Sequence, residues 1–180
     1  MKRRVVLGLI LAALSTSGWS QAAKKAGQPA PIYMSLRAQA LALKAADIGA
    51  KQAVYGVIME IGYPEAVATL VSLVDGTTSL YFSNGGGQIG AGDSPKVAKA
   101  SKALVFASAQ ELAKMTLTTE TPLPQLNHTR FYVLTTSGVR TADALEDDLG
   151  EHRHPLSQLF YWGQGVLTEI RLQEESRAHK

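Results

Sequence analysis

The spacing of apolar residues changes period several times along the chain, and each change marks an element. Leu36, Ala40, Leu43 and Ala46 or Ile48 recur at close to helical spacing, with Arg37, Gln39 and Lys44 among the polar positions between them. That pattern predicts a helix capped by Ser35 and ending near Gly49. From Val54 to Gly62 (VYGVIMEIG) the β-branched and apolar residues predict a strand, bounded by Gly62-Tyr63-Pro64. Val67 to Val74 predicts a second strand. Both of its faces are mostly apolar, which places it inside a sheet with cover on each side. Asp75-Gly76 is a hairpin signal, and Thr77 to Phe82 returns antiparallel as the third strand.

A glycine-rich turn then leads to Asp93-Ser94-Pro95, a helix start with Ser94 as cap and proline in the first turn. This helix is expected to reach about Lys114, burying Val97, Ala100 or Ser101, Leu104, Ala107 or Ser108 and Leu112 or Met115, with Lys96, Lys99, Lys102 and Lys114 outward. Thr116 to Asn127 contains Pro122 and Pro124 and reads as a loop. Arg130 to Thr136 and Val139 to Ala142, turning at Ser137-Gly138, form a second hairpin, and Glu146 to His154 is a charged connector. From Pro155 onward Leu156, Leu159, Phe160, Gly163, Leu167 and Ile170 make an amphipathic helical stripe. The competing reading is a short helix to Gly163 and a strand from Val166 to Leu172; the unbroken stripe favours the helix.

The expected architecture is therefore α+β: a five-stranded, mostly antiparallel sheet covered by helices, in the order α-β-β-β-α-β-β-α. This order is similar to the profilin-like layout and in particular resembles Roadblock-type dynein light-chain domains. The helix Leu36–Ile48, the strand and turn Val71-Ser72-Leu73-Val74-Asp75-Gly76, the hairpin around Ser137-Gly138 and the closing helix carry the resemblance. It implies a domain that works through protein contacts and favours dimers. It also departs from that pattern, because Roadblock-type domains commonly place two strands before the second helix and are cytosolic regulators. Fold alone does not carry function.

The first 22 residues change the compartment. Lys2-Arg3-Arg4, the ten-residue apolar run Val5 to Leu14 and the small residues of Ser20-Gln21-Ala22 read as a secretory signal peptide cleaved near Ala22/Ala23, too short in its apolar part for a permanent span. The expected organisation is a signal at 1–22, a linker at 23–33, one domain at 34–175 and a polar tail at 176–180. The whole chain holds 18 basic and 15 acidic side chains, and Lys2, Arg3 and Arg4 are the charged residues of the signal. Removing them leaves the two signs equal, so the basic precursor gives no argument for nucleic acid. Cysteine is absent, which excludes disulfides, thiol catalysis and a lipoprotein anchor. A periplasmic or secreted protein follows, stabilised by its core alone.

Gly85, Gly87 and Gly90 match G-x-G-x-x-G, but the preceding strand belongs to an antiparallel hairpin and no β-α-β unit follows, so no dinucleotide cofactor is implied. A connection needing positive φ explains the glycines. A sharper reading lets Asn84, Gly85, Gly86, Gly87 and Gly90 present backbone amides to a small anionic ligand, with Lys96 nearby. His152 and His154, beside Glu151, Asp147 and Asp148 and with His128 joining from elsewhere, form the metal-like cluster; a solvated connector explains them equally well. No G-x-S-x-G or S-x-x-K motif is present. Tyr161 and Trp162 flank the last stripe and are candidates for an interaction surface. Together these predict an exported, non-catalytic binding module that meets a protein partner or forms a homodimer. The alternative is an anion- or metal-dependent sensor or hydrolase using Gly85–Gly92 with His152 and His154.

Overall fold

The computed structural model describes residues 28–178; the predicted signal peptide and residues 23–27 of the predicted linker lie outside the described residues. Seven strands form one sheet in the order β4-β3-β2-β1-β6-β7-β5. They are β1 (Val54–Gly62), β2 (Val67–Leu73), β3 (Thr78–Phe82), β4 (Gly87–Gln88), β5 (Thr116–Thr118), β6 (His128–Thr135) and β7 (Gly138–Leu145). Every neighbouring pair is antiparallel. The helices are α1 (Pro31–Ala42), α2 (Pro95–Gln110), α3 (Glu146–Gly150) and α4 (Ser157–Ala178).

Alternation along β1 and β2 sends side chains into two separate cores, as strands covered on both faces require. On one face Val57, Met59, Ile61, Leu70 and Phe131 pack with Val97 and Leu104 of α2 and with Leu159, Phe160, Leu167 and Ile170 of α4. On the other, Ile58, Val71, Leu73, Tyr132 and Leu134 pack under Tyr33 of α1, with Leu36 and Ala40 half-buried at its margin. The register between β1 and β6 slips between Val54 and Gly56. Tyr55 and the small Gly56 both face α1 there, where a Cβ on Gly56 would lie 2.9 Å from Leu73.

α4 runs unbroken through Gly163 and Gly165 for 22 residues, so the segment 166–172 is helical. Each glycine costs about 1 kcal/mol relative to alanine in a helix. Each fully buried apolar side chain of the stripe returns about 1.5–3 kcal/mol, so packing decides the outcome. Leu159, Phe160, Gly163, Val166, Leu167 and Ile170 are all buried.

The expected five-stranded sheet is corrected to seven strands, both additions being short edge strands. β4 arises inside the glycine turn, where Leu80 pairs with Gln88 and Tyr81 with Gly87. Gly87 has φ 152°, and a Cβ there would strike the Leu80 carbonyl, so only glycine lets the chain fold back that closely. β5 lies in the segment read as a loop: Thr116-Leu117-Thr118 pairs with β7 before Pro122 is reached. Among the described residues there are four α-helices rather than three, because Glu146–Gly150 of the charged connector closes into a short turn of helix. α1 begins at Pro31, which takes the first-turn position that proline suits, and Ser35 lies inside it rather than capping it.

Candidate functional site

The N-terminal end of α1 is tied to the outer end of the sheet by a backbone bond, and the receiving residue is itself held by β2. The Ala30 N–H donates to the Ser83 carbonyl at 2.7 Å, and the Val67 N–H donates to Ser83 Oγ at 2.8 Å. Beyond Ser83 the chain turns sharply: the Gly85 N–H donates to the Phe82 carbonyl and the Phe82 N–H to the Gly86 carbonyl, each at 2.8 Å. The result is a shallow groove between helix and turn, walled by Ile32 and Leu36, floored by Tyr33, Tyr81 and Phe82, and closed by Gly85, Gly86, Gly87 and Ile89. Ile32 and Ile89 stand at its mouth, 51% and 62% exposed. Apolar groups left at a concave surface favour an apolar partner over an anion.

This arrangement places the residues singled out from sequence. Gly85, Gly86 and Gly87 do meet at one surface feature, but its lining is apolar and the Gly85 amide is already committed to Phe82. Asn84 is exposed at the tip of the turn. Gly90 is left-handed with φ 75° and caps a short 3-10 turn, Ala91–Asp93. Lys96 projects to solvent from the first turn of α2, and neither Gly90 nor Lys96 lines the groove. His152 stacks on Tyr161 with ring centroids 4.6 Å apart, while His154 Nδ1 accepts the Leu156 N–H at 3.2 Å. Among the described residues, no group of three or more His, Cys, Asp or Glu side chains converges as a metal site would need. Tyr161 donates to the Gly150 carbonyl at 2.5 Å and ties α4 to α3; Trp162 is 43% exposed.

Beneath α1 lies a polar cluster that sequence reasoning missed. Arg37 is buried and donates to both carboxylate oxygens of the fully buried Glu60, Nε to Oε1 at 2.6 Å and Nη2 to Oε2 at 2.8 Å. Thr69 Oγ1 donates to Glu60 Oε1 at 3.0 Å and therefore accepts from the Tyr33 hydroxyl at 2.9 Å. The Pro122 carbonyl closes the far side, accepting from Arg37 Nη2 at 3.3 Å and from the Tyr132 hydroxyl at 2.5 Å. The Arg37 guanidinium carbon sits 5.7 Å from the centre of the Tyr132 ring. The sheet extends the row: Thr69 stands opposite Glu60, Glu60 opposite Arg130, and Arg130 opposite Asp143. Asp143 Oδ2 is ion-paired with Arg130 Nη2 at 2.9 Å, and Oδ1 contacts His128 Nδ1 at 2.5 Å. The one visible hint was Glu60 itself, a lone acid in an otherwise apolar strand.

Burial dominates the electrostatics here. It raises the Tyr33 hydroxyl to about 12, with the Glu60 charge adding to the effect. Burial works to lower Arg37, but the hydrogen bond and charge of Glu60 more than offset it and hold the guanidinium ionised. Just past the end of β7, burial and then Asp147 raise the Glu146 carboxyl to about 7. One Glu146 oxygen is buried without a partner. A carboxyl raised above its ordinary value of 4.5 costs stability as pH rises between 4.5 and 7, because the unfolded chain ionises first. Glu146→Gln is therefore predicted to match the wild type near pH 4 and exceed it by about 1–2 kcal/mol at pH 8, after discounting for the side chain's partial exposure. Urea titrations at the two pH values check this, and an equal difference at both would refute it.

No family model matches the chain, and no curated protein or solved structure matches it. The Roadblock-type resemblance thus rests on element order.

Proposed function

We propose that the protein is an exported, non-catalytic interaction module that binds an apolar segment of a partner protein in the groove between α1 and the β3–β4 turn. Export rests on the sequence of the first 22 residues. The observation that carries the binding reading is the pair Ile32 and Ile89, exposed on either side of a groove whose lining is aliphatic and aromatic. The groove is built on paired backbone rather than on a loose loop, so binding requires little ordering. Among the described residues no helix is long and apolar enough to cross a membrane.

The test uses an apolar anilinonaphthalene dye and short hydrophobic peptides as probes. Ile32→Asp and Ile89→Asp are each expected to weaken probe binding about ten-fold or more while leaving the melting temperature near that of the wild type, because both side chains are already in water. If both variants bind the probes as the wild type does, the groove is not the site. Sedimentation of the wild type across concentration, compared with Ile89→Asp, tests whether a second copy is the partner.

A further inference from the structure

One side chain belongs to both the groove and the polar cluster. Tyr33 contributes to the groove floor, and its hydroxyl donates to Thr69 Oγ1 of β2 at 2.9 Å. The helix that carries it is held to the sheet in an unusual way. The buried residues of α1 are Tyr33 and Arg37, while its aliphatic residues Leu36, Ala40 and Leu41 are half-buried at the margin. Both buried side chains end on one carboxylate, Arg37 through two direct bonds to Glu60 and Tyr33 through Thr69. Apolar contacts are non-directional and let a helix settle over a range of positions. Hydrogen bonds fix both a distance and a direction, so polar anchors place a helix more narrowly.

We propose that Thr69, Glu60 and Arg37 are positioning residues for the groove: the chain of bonds Arg37–Glu60–Thr69–Tyr33 fixes the Tyr33 ring in the floor and sets how far Ile32 stands from Ile89. None of the three lines the groove, so each acts through α1. The opposite wall needs no such help, because the β3–β4 turn is shaped by backbone bonds. α1 is the wall whose place side chains decide. A floor held in advance spares a ligand the cost of ordering it. The effect on binding rests on the groove reading above, but the placement of α1 is a property of the free protein and is measurable without a ligand.

Thr69→Val and Tyr33→Phe test it by removing opposite ends of one hydrogen bond. Neither makes the groove less apolar, so a site working by apolar area alone would bind as well after either change. Each is instead expected to weaken binding of the anilinonaphthalene dye about five-fold, at a temperature where both variants are fully folded. Thr69→Ser keeps the hydroxyl and is expected to restore the affinity. Val166→Ala removes buried volume from the other core, so it loses stability yet is expected to bind the dye as the wild type does. Hydrogen exchange supplies the readout without ligand: the hydrogen-bonded amides of α1 are expected to exchange about ten-fold faster in Thr69→Val and Tyr33→Phe, with β1 unchanged. Unaltered exchange of α1 in both variants overturns the proposal. So does a Val166→Ala affinity as weak as that of Thr69→Val, or a Thr69→Val affinity equal to the wild type's while Ile89→Asp loses binding. If Ile32→Asp and Ile89→Asp both bind the dye normally, the groove reading falls, and the exchange of α1 still decides whether the cluster places the helix.

Discussion

Arg37→Ala is expected to lower the free energy of unfolding by about 3–5 kcal/mol, a large share of what a domain of this size possesses. The reason is the partner left behind. Glu60 has no exposed surface, and with the guanidinium gone its carboxylate keeps only the Thr69 hydroxyl. A buried ion pair is weak evidence for stability when both members are compared with apolar residues, but losing one member alone is costly. The double variant Arg37→Met/Glu60→Leu is therefore expected to recover most of the loss, with Thr69 still able to bond Tyr33. Urea titration of the wild type, the single and the double variant checks both statements. A double variant no better than Arg37→Ala would mean that the pair itself, rather than the orphaned charge, supplies the stability. Because the pair is shielded from solvent, the loss should persist at high salt, unlike that from an exposed ion pair such as Arg171 with Glu175.

How far the fold was legible follows the range of the interactions. Strand β1 was readable residue for residue, since Val54–Gly62 is apolar on both faces and bounded by turn residues. α4 was readable because its stripe at helical spacing is a local pattern. The two edge strands were not. β4 is two residues long, and β5 exists because Thr116–Thr118 finds β7 more than twenty residues later in the chain. Neither carries a periodicity of its own. The polar cluster was hidden for the same reason. Arg37 falls among the polar positions between the apolar ones of a helix, and nothing within a helical turn announces a carboxylate on a strand 23 residues away. Glycines were readable as glycines but not by role. Gly92 proves to be a close approach, where a Cβ would strike the Gly76 carbonyl of the β2–β3 turn, and Gly85 to Gly87 shape an apolar groove rather than a ring of free amides.

Gly163 and Gly165 carry that distinction to a measurement, with opposite signs expected two residues apart in one helix. Gly163 is buried where α4 crosses the sheet, and a Cβ there would lie 2.6 Å from Met59 Cε, in contact with a side chain that is itself fully enclosed. Gly163→Val is expected to cost about 3 kcal/mol, because the branched side chain must push Met59 off its rotamer in a core with no room to relax. At Gly165 a Cβ meets nothing within 4 Å, so Gly165→Ala keeps every contact and gains helix propensity, a stabilisation of about 1 kcal/mol. Shortening the obstacle identifies the mechanism: Gly163→Val combined with Met59→Ala should be less damaging than the sum of the two by about 1–2 kcal/mol, since each change makes space the other needs. Strict additivity would place the cost of Gly163→Val in the helix backbone instead of in its contact with the sheet. A destabilised Gly165→Ala would mean that α4 meets a partner on the side that faces solvent here.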